Sequence, residues 1–237
     1  MFNNDFNEMI ISEDKQTLSL KQYVVRIFAY MFLGLALSTI AGYIFVVTGL
    51  VETVATNTLY FLGIIGLEFF CVIKIGSRMS SMHQKNSLPY FIAYSVVTGI
   101  TFGMIGIIYD PEIIILAVGL TCAYFGSLCV IGYTTKADLT KLGTFCMISL
   151  VIFVLLRIVG GLFFQFSADS TLISMVGILI FTGLTAYDMQ KAKKLYYMCE
   201  DNQNAMNNSV VFMALQLYLD FVNIFLYILR LLASNND

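Results

Sequence analysis

Seven long apolar stretches, separated by short polar segments, cover most of the chain. They lie at about residues 25 to 48, 59 to 77, 89 to 108, 113 to 133, 143 to 164, 171 to 190 and 210 to 232. A bilayer core about 30 Å thick is crossed by roughly 20 apolar residues in a helix, so each stretch is about long enough to span it. The pattern predicts an all-α polytopic membrane protein with seven transmembrane helices.

The composition supports this class, because 59% of the 237 residues are hydrophobic and only 12% are charged. We expect a cytoplasmic N-terminal tail at residues 1 to 23, a membrane domain at 24 to 232 and a short C-terminal tail at 233 to 237. The opening segment is too long and too acidic for the charged region of a signal peptide. Because the chain is so apolar, the lipid bilayer is the first predicted partner.

Basic residues are distributed unevenly between the two sets of loops. Eleven of the 13 Lys and Arg residues lie near the start of the first span or around the ends of the second, fourth and sixth. The other three loops, "TGLVETVATNT", "YDPE" and "QFSADS", contain acidic residues but no Lys or Arg. Since basic loops stay in the cytoplasm, the N-terminus is predicted to be cytoplasmic. A seventh span then puts the C-terminus outside, unless the last segment re-enters.

Several function classes find no support in the sequence. No basic stripe with interleaved aromatic residues indicates nucleic-acid binding. The lone His83 offers no metal cluster, and no Ser/His or Cys/His pairing fits nucleophilic catalysis. Paired intramembrane aspartates occur in some proteases, but the usual glycine-aspartate sequence is absent here. We therefore expect neither an enzyme nor a bound cofactor.

Four ionisable residues interrupt the apolar stretches: Glu68, Arg157, Asp188 and Asp220. An acid or an arginine at the centre of a span costs about 2.5 to 3.5 kcal/mol on insertion scales. Such residues usually line a cavity, pair with one another or titrate. The alternative interpretation of each is a static polar contact within the bundle.

The two aspartates lie on polar helix faces. Spacings of 4, 3 and 4 put four residues of the seventh span on one face, and a spacing of 3 does the same in the sixth. These residues are Gln216, Asp220, Asn223 and Tyr227 in the seventh span, and Thr185 and Asp188 in the sixth. If the sixth helix continues to about residue 198 and the seventh starts near 210, the turn is centred near 204. Both aspartates would then lie about 16 residues from that centre, at one depth.

Two carboxyl groups that meet in a poorly solvated site cannot both ionise cheaply, so they share a proton. Loss of that proton would leave two anions that separate, admit water or bind a cation such as Ca²⁺. This predicts a proton-controlled gate formed by Asp188 and Asp220, with a static hydrogen-bonded pair as the alternative. Arg78 is a candidate latch for Asp188 or an ordinary membrane anchor. Glu68 is a candidate pore-lining cation ligand.

Three segments resemble a known family. "GLTAYDMQKAK" and "ALQLYLDFVNIFLYILRLL" are similar to the sixth and seventh helices of the transmembrane Bax inhibitor motif family. "AYFGSLCVIGYTTKADLTKLG" resembles the fourth helix and following loop of its bacterial branch. One departure is visible, because Gly103 and Met104 stand where the family often has a proline after a small residue.

The resemblance implies a fold in which one central helix is surrounded by the others. It also implies a pH-sensitive Ca²⁺ leak in a bacterial inner membrane. In that family two aspartates, here Asp188 and Asp220, share a proton, and an arginine, here Arg78, latches the closed form. A second role implied by relatives is regulatory, as the partner of a membrane-bound AAA protease or of a stress or cell-death pathway.

Overall fold

The computed structural model describes residues 18–80, 86–163 and 171–234, and the regular elements within them are all α-helices. In chain order these helices are α1 (Leu20–Val47), α2 (Leu50–Thr56), α3 (Thr58–Ser80), α4 (Leu88–Ile108), α5 (Pro111–Thr134), α6 (Thr140–Phe163), α7 (Thr171–Met198) and α8 (Gln203–Ala233). All except the short α2 are long and apolar enough to cross a membrane. This confirms the predicted polytopic fold. His83 and most of the expected N-terminal tail lie outside the described residues.

Local sequence signals set most helix ends. Ser19 and Gln22 form a capping box at the start of α1, in which each side chain satisfies a free backbone amide. Pro89 stands in the first turn of α4, and Pro111 opens α5, at positions where a missing amide hydrogen costs nothing. The predicted continuation of the sixth span to about residue 198 is confirmed, since α7 ends at Met198.

Two predicted boundaries are wrong. The seventh span begins at Gln203 rather than near 210, because the Asn202 side chain accepts hydrogen bonds from the first-turn amides and caps the helix there. The segment after the first span, expected to be a loop, contains α2, whose Val51 and Val54 are buried. Gly49, with a φ of 73°, makes the left-handed turn between α1 and α2.

The last helix is the centre of the bundle. In its most apolar stretch 72% of α8 is buried, against 11% for the corresponding stretch of α6. The helix packs against α1, α3, α4, α5 and α7. It reaches α6 through Phe153 and Tyr227, whose ring centroids lie 6.3 Å apart. This confirms the predicted central helix, which runs without a break from Gln203 to Ala233.

The helix pair with the most extensive contact is α1 and α4, which meet through glycines. A Cβ atom added to Gly99 would lie 2.7 Å from the Cβ of Ala41 and 2.9 Å from the backbone nitrogen of Gly42. Gly42 in turn faces Gly103 across the same contact. Small residues spaced in this way let two helix backbones touch, which is a main source of stability in a bilayer. The α1–α4 pair is therefore the tightly packed side of the bundle.

Gly99→Ala should lower the thermal unfolding midpoint in detergent, because the added methyl group displaces the α1 backbone at a cost of about 1 to 3 kcal/mol. Gly106→Ala is the matched control on the same helix, since its added Cβ would meet nothing within 4 Å. That control should be neutral or slightly stabilising through helix propensity, by up to about 1 kcal/mol. Equal midpoints for the two variants would contradict the tight α1–α4 contact.

Candidate functional site

One hydrogen bond shows which residues of α7 and α8 lie at the same depth along the bundle. The Lys191 Nζ donates to the Oε1 of Gln216 at 2.6 Å. Asp188 precedes Lys191 by three residues, and Asp220 follows Gln216 by four. Because the two helices are antiparallel, both aspartates lie about one turn, roughly 5 Å, further from the connecting turn. They are therefore at the same level, although α8 begins earlier than expected.

The two carboxyl groups are buried beside each other. Asp188 is 6% exposed and Asp220 is 4% exposed, and their side chains interact electrostatically. Within the described part of the chain, the Oδ2 of Asp220 has no hydrogen-bond partner. The Thr185 hydroxyl neighbours this carboxyl and donates to the Phe181 carbonyl oxygen at 2.8 Å. A buried polar atom without a partner costs about 1 to 3 kcal/mol, and more when it is charged. A proton or a cation at this pair would therefore lower the cost of its burial.

A lysine supplies the nearest positive charge. The Lys191 Nζ lies 3.9 Å from the Oδ1 of Asp188, and its side chain is 28% exposed. In the sequence alone, Lys191 is one of the basic residues after the sixth span that indicate which end of the protein is cytoplasmic. The signal that could have found it is its spacing of three from Asp188, which puts both side chains on one helix face. Lys191 is a functional candidate that sequence reasoning missed.

Arg78, the predicted latch, makes other contacts in this structure. Its guanidinium donates to the Asn86 carbonyl oxygen and, at 3.3 Å, to the Tyr90 hydroxyl. It also lies over the Tyr90 ring, 4.4 Å from the centroid. These contacts join the end of α3 to the start of α4. A latch between Arg78 and Asp188 stays a prediction.

Glu68 belongs to a second polar cluster, formed by α1, α3, α4 and α8. The Thr98 hydroxyl donates to the Oε1 of Glu68 at 3.1 Å. The hydroxyls of Tyr218 and Ser38 are hydrogen-bonded at 2.7 Å, and Tyr218 also interacts with Thr98 and Glu68. Tyr218 lies two residues before Asp220, so α8 presents polar groups to two of its neighbours. The role of Glu68 as a cation ligand stays a prediction.

The rest of the predicted polar face is divided among separate contacts. The Nδ2 of Asn223 donates to the Leu219 carbonyl oxygen of its own helix at 2.8 Å. Tyr227 interacts with Arg157, so the half-buried arginine of α6 lies beside α8. Tyr227 also packs against Phe181 of α7, with ring centroids 6.1 Å apart. Asn223 therefore supports the helix locally, whereas Gln216 and Tyr227 reach α7.

Two neighbouring helices pack closely against the residues just before Asp188. Gly132 of α5 lies against the Ala186 carbonyl oxygen, and Gly143 of α6 lies under the Tyr187 ring. In each case a Cβ atom on the glycine would collide with its partner. Cys129 of α5 interacts electrostatically with Asp220 from the same side. The aspartate level is therefore enclosed by α5, α6, α7 and α8.

A cation at this site would find few protein ligands. No cluster of three or more His, Cys, Asp or Glu side chains suited to a metal occurs among the described residues. Ca²⁺ takes six to eight oxygen ligands, so the two aspartates would supply only part of its shell. Such a site suits weak, passing occupancy rather than storage.

Asp138, in the connection between α5 and α6, is the contrasting aspartate outside the spans. The Thr140 hydroxyl donates to its Oδ1 at 2.6 Å, and the Lys194 Nζ lies 2.9 Å from the same atom. Hydrogen bonds from Thr140 and Lys194 lower the pKa of Asp138 to about 2. It is consequently ionised throughout the range from pH 5 to 8.

Wild-type protein should lose thermal stability as the pH rises from 5 to 8. Unfolded aspartates have released their protons by pH 5, whereas the buried pair keeps one, so the folded state binds more protons. The expected slope is up to about 1.4 kcal/mol per pH unit for one extra proton. Asp220→Asn should flatten the melting temperature against pH.

Asp138→Asn is the control for this measurement. Asp138 is ionised in both the folded and the unfolded chain above pH 5, because its pKa is lowered to about 2. Its stabilising interactions are lost only as the pH falls well below that range. The variant should therefore keep the wild-type slope. A wild-type melting temperature independent of pH would rule out a retained proton.

Comparisons with known proteins cover nearly the whole chain. The sequence model of one family, described as inhibitor of apoptosis-promoting Bax1, matches residues 20–237. An uncharacterized protein of Borreliella burgdorferi is 33% identical over 229 residues, which cover 96% of this chain and 98% of that protein. Inner membrane protein YbhL of Escherichia coli is 31% identical over 220 residues, covering 91% and 92% respectively.

Proposed function

The chain belongs to the Bax inhibitor family of multi-pass membrane proteins, and we propose that it is a pH-sensitive Ca²⁺ leak channel. Its gate is the pair formed by Asp188 and Asp220. The observation that carries the proposal is the Oδ2 of Asp220, which is buried without a hydrogen-bond partner in the described structure and lies next to a second carboxyl group. A channel of this kind needs no bound cofactor and carries out no catalysis.

At low pH one proton shared by the two carboxyl groups holds α7 against α8. The proton removes one of two like charges and supplies a hydrogen bond in a place with little other compensation. The contact from Lys191 to Gln216 joins the same two helices one turn away. This arrangement is the closed state.

At higher pH the shared proton leaves, and two buried anions then face each other. Their repulsion is relieved when α7 and α8 separate and water or a cation enters. Ca²⁺ suits the opened pair because carboxylate oxygens are its preferred ligands. Glu68, in the second polar cluster, is the proposed acidic ligand elsewhere along the path.

We propose the inner membrane as the location, with the N-terminus in the cytoplasm. The end of the bundle that carries Lys193 and Lys194 is basic, and Lys193 donates to the Tyr133 carbonyl oxygen there. Glu52 and Glu112 occupy first helical turns at the opposite end. The basic end is cytoplasmic by the positive-inside rule, and the relative YbhL is named an inner membrane protein. Asp188 lies ten residues before Met198, so it is about 15 Å from the cytoplasmic end of α7.

The test is Ca²⁺ flux into liposomes that contain the purified protein, measured from pH 5 to 8. Wild-type flux should rise with pH, by roughly tenfold per unit below the midpoint when one proton is released. Asp188→Asn and Asp220→Asn should each flatten this response, since a carboxamide cannot lose the proton. Asp138→Asn should leave the pH profile unchanged.

The result that would overturn the leak is an absence of flux from the wild type and all three variants while each remains folded. That result would favour the regulatory role, as a partner of a membrane-bound protease or of a stress pathway. If flux through both Asp188→Asn and Asp220→Asn still changes with pH as it does in the wild type, the gate would lie at other residues.

A further inference from the structure

We propose that Lys191 is a tethered cation that competes with Ca²⁺ for Asp188, and so raises the Ca²⁺ concentration that the channel needs for half-maximal flux. The inference rests on the proposed leak and adds to it a residue that determines its threshold. The ammonium group of Lys191 is shared between two helices. The Lys191 Nζ lies 3.9 Å from the Oδ1 of Asp188 on α7 and 2.6 Å from the Oε1 of Gln216 on α8.

The surroundings of Lys191 keep its charge at the aspartate level. The Nζ lies 4.9 Å from the centroid of the Phe212 ring and 5.9 Å from that of the Tyr187 ring. Both rings attract a cation through their faces. The side chain is nevertheless 28% exposed, so the ammonium can exchange the carboxylate for water. Lys191 is thus held beside the pair without being locked there.

The neighbouring lysines of α7 have other partners. Lys193 donates to the Tyr133 carbonyl oxygen of α5 at 2.8 Å, and Lys194 pairs with Asp138 at 2.9 Å. Among described residues, the ionisable groups that face the pair are Lys191 of α7 itself and Cys129 of α5. From α6, Cys146 packs one helical turn away, against Gly183. Lys191 is therefore the cation that the described structure directs at the gate.

An effect on Ca²⁺ follows from this position. Once the aspartate pair is charged, an ammonium group 3.9 Å from the Oδ1 of Asp188 opposes the approach of Ca²⁺. Lys191 consequently makes Ca²⁺ binding weaker. A purely structural tether between α7 and α8 would change the amount of flux but not the Ca²⁺ concentration at which flux is half-maximal.

The flexible stem of Lys191 gives the competition a physical route. Its three rotatable donors can turn to Gln216 or to water while Ca²⁺ occupies Asp188. When Ca²⁺ leaves, the ammonium returns to the carboxylate. No covalent step or added reactant is needed.

The experiment measures Ca²⁺ flux in liposomes against pH and, at pH 8, against Ca²⁺ concentration. The samples are wild type, Lys191→Met, which keeps the length of the side chain without its charge, and Lys191→Arg, which keeps the charge. Lys194→Met is the control, since it removes the charge of the next lysine but one, which pairs with Asp138.

For Lys191→Met we expect the Ca²⁺ concentration of half-maximal flux at pH 8 to fall about tenfold. That value is the effect of a unit charge near 4 Å after discounting for partial exposure. Lys191→Arg keeps the charge, so this concentration should not fall. Lys194→Met should match wild type in both curves.

Each failure has its own signature. A wild type without pH-dependent flux overturns the leak, and with it this inference. A wild type that titrates while Lys191→Met gives superimposable curves overturns the role of Lys191 alone. Raised maximal flux with an unchanged Ca²⁺ concentration of half-maximal flux also overturns it, because that is the behaviour of a lost structural tether.

Discussion

The burial of two carboxyl groups at one level between α7 and α8 is the constraint on which the rest of the structure depends. Asp220 lies on the helix that all the others surround, and its Oδ2 finds no partner among the described residues. A charge in that position is expensive unless a proton or a cation accompanies it. We therefore expect the stability of the bundle to depend on the protonation of this one pair. An apolar residue in place of Asp220 would remove that dependence.

Close packing of the other helices limits which of them can move when the charge of the aspartate pair changes. Gly99 and Gly42 bring α1 and α4 into backbone contact, and Gly132 does the same between α5 and the Ala186 carbonyl oxygen of α7. Interiors packed this closely respond to strain by switching between arrangements rather than by deforming continuously. The α7–α8 contact instead carries polar side chains at the level of the aspartate pair. We therefore expect a charge change at the pair to displace α7 against α8 and to leave α1–α4 intact.

The sequence predicts those features of the fold and site that depend on spacing alone. Apolar length placed all seven spans, and helical periodicity placed Asp188 and Asp220 on polar faces. The start of α8 and the turn centre were both predicted wrongly, since the turn between Met198 and Gln203 is centred at about residue 200 to 201 rather than 204. The depth match nevertheless holds, because the Lys191 side chain contacts Gln216 and so sets the relative level of the two helices. The sequence alone could not predict which residues the long basic side chains contact. Lys191 and Arg78 are both basic residues near a helix end, and only packing decides that Lys191 reaches Asp188 while Arg78 stacks on Tyr90.

The chemistry of these two cations suits their different positions. An arginine beside Asp188 could hold a carboxylate through two parallel hydrogen bonds in a planar fork, which would make that cation harder for Ca²⁺ to displace. Lysine binds as a compact, strongly hydrated point charge on a flexible stem, so it can leave a carboxylate without losing a fixed geometry. Arg78, stacked on an aromatic ring between α3 and α4, suits a joint that stays fixed. Lys191, shared between Asp188 and Gln216, suits a joint that opens and closes.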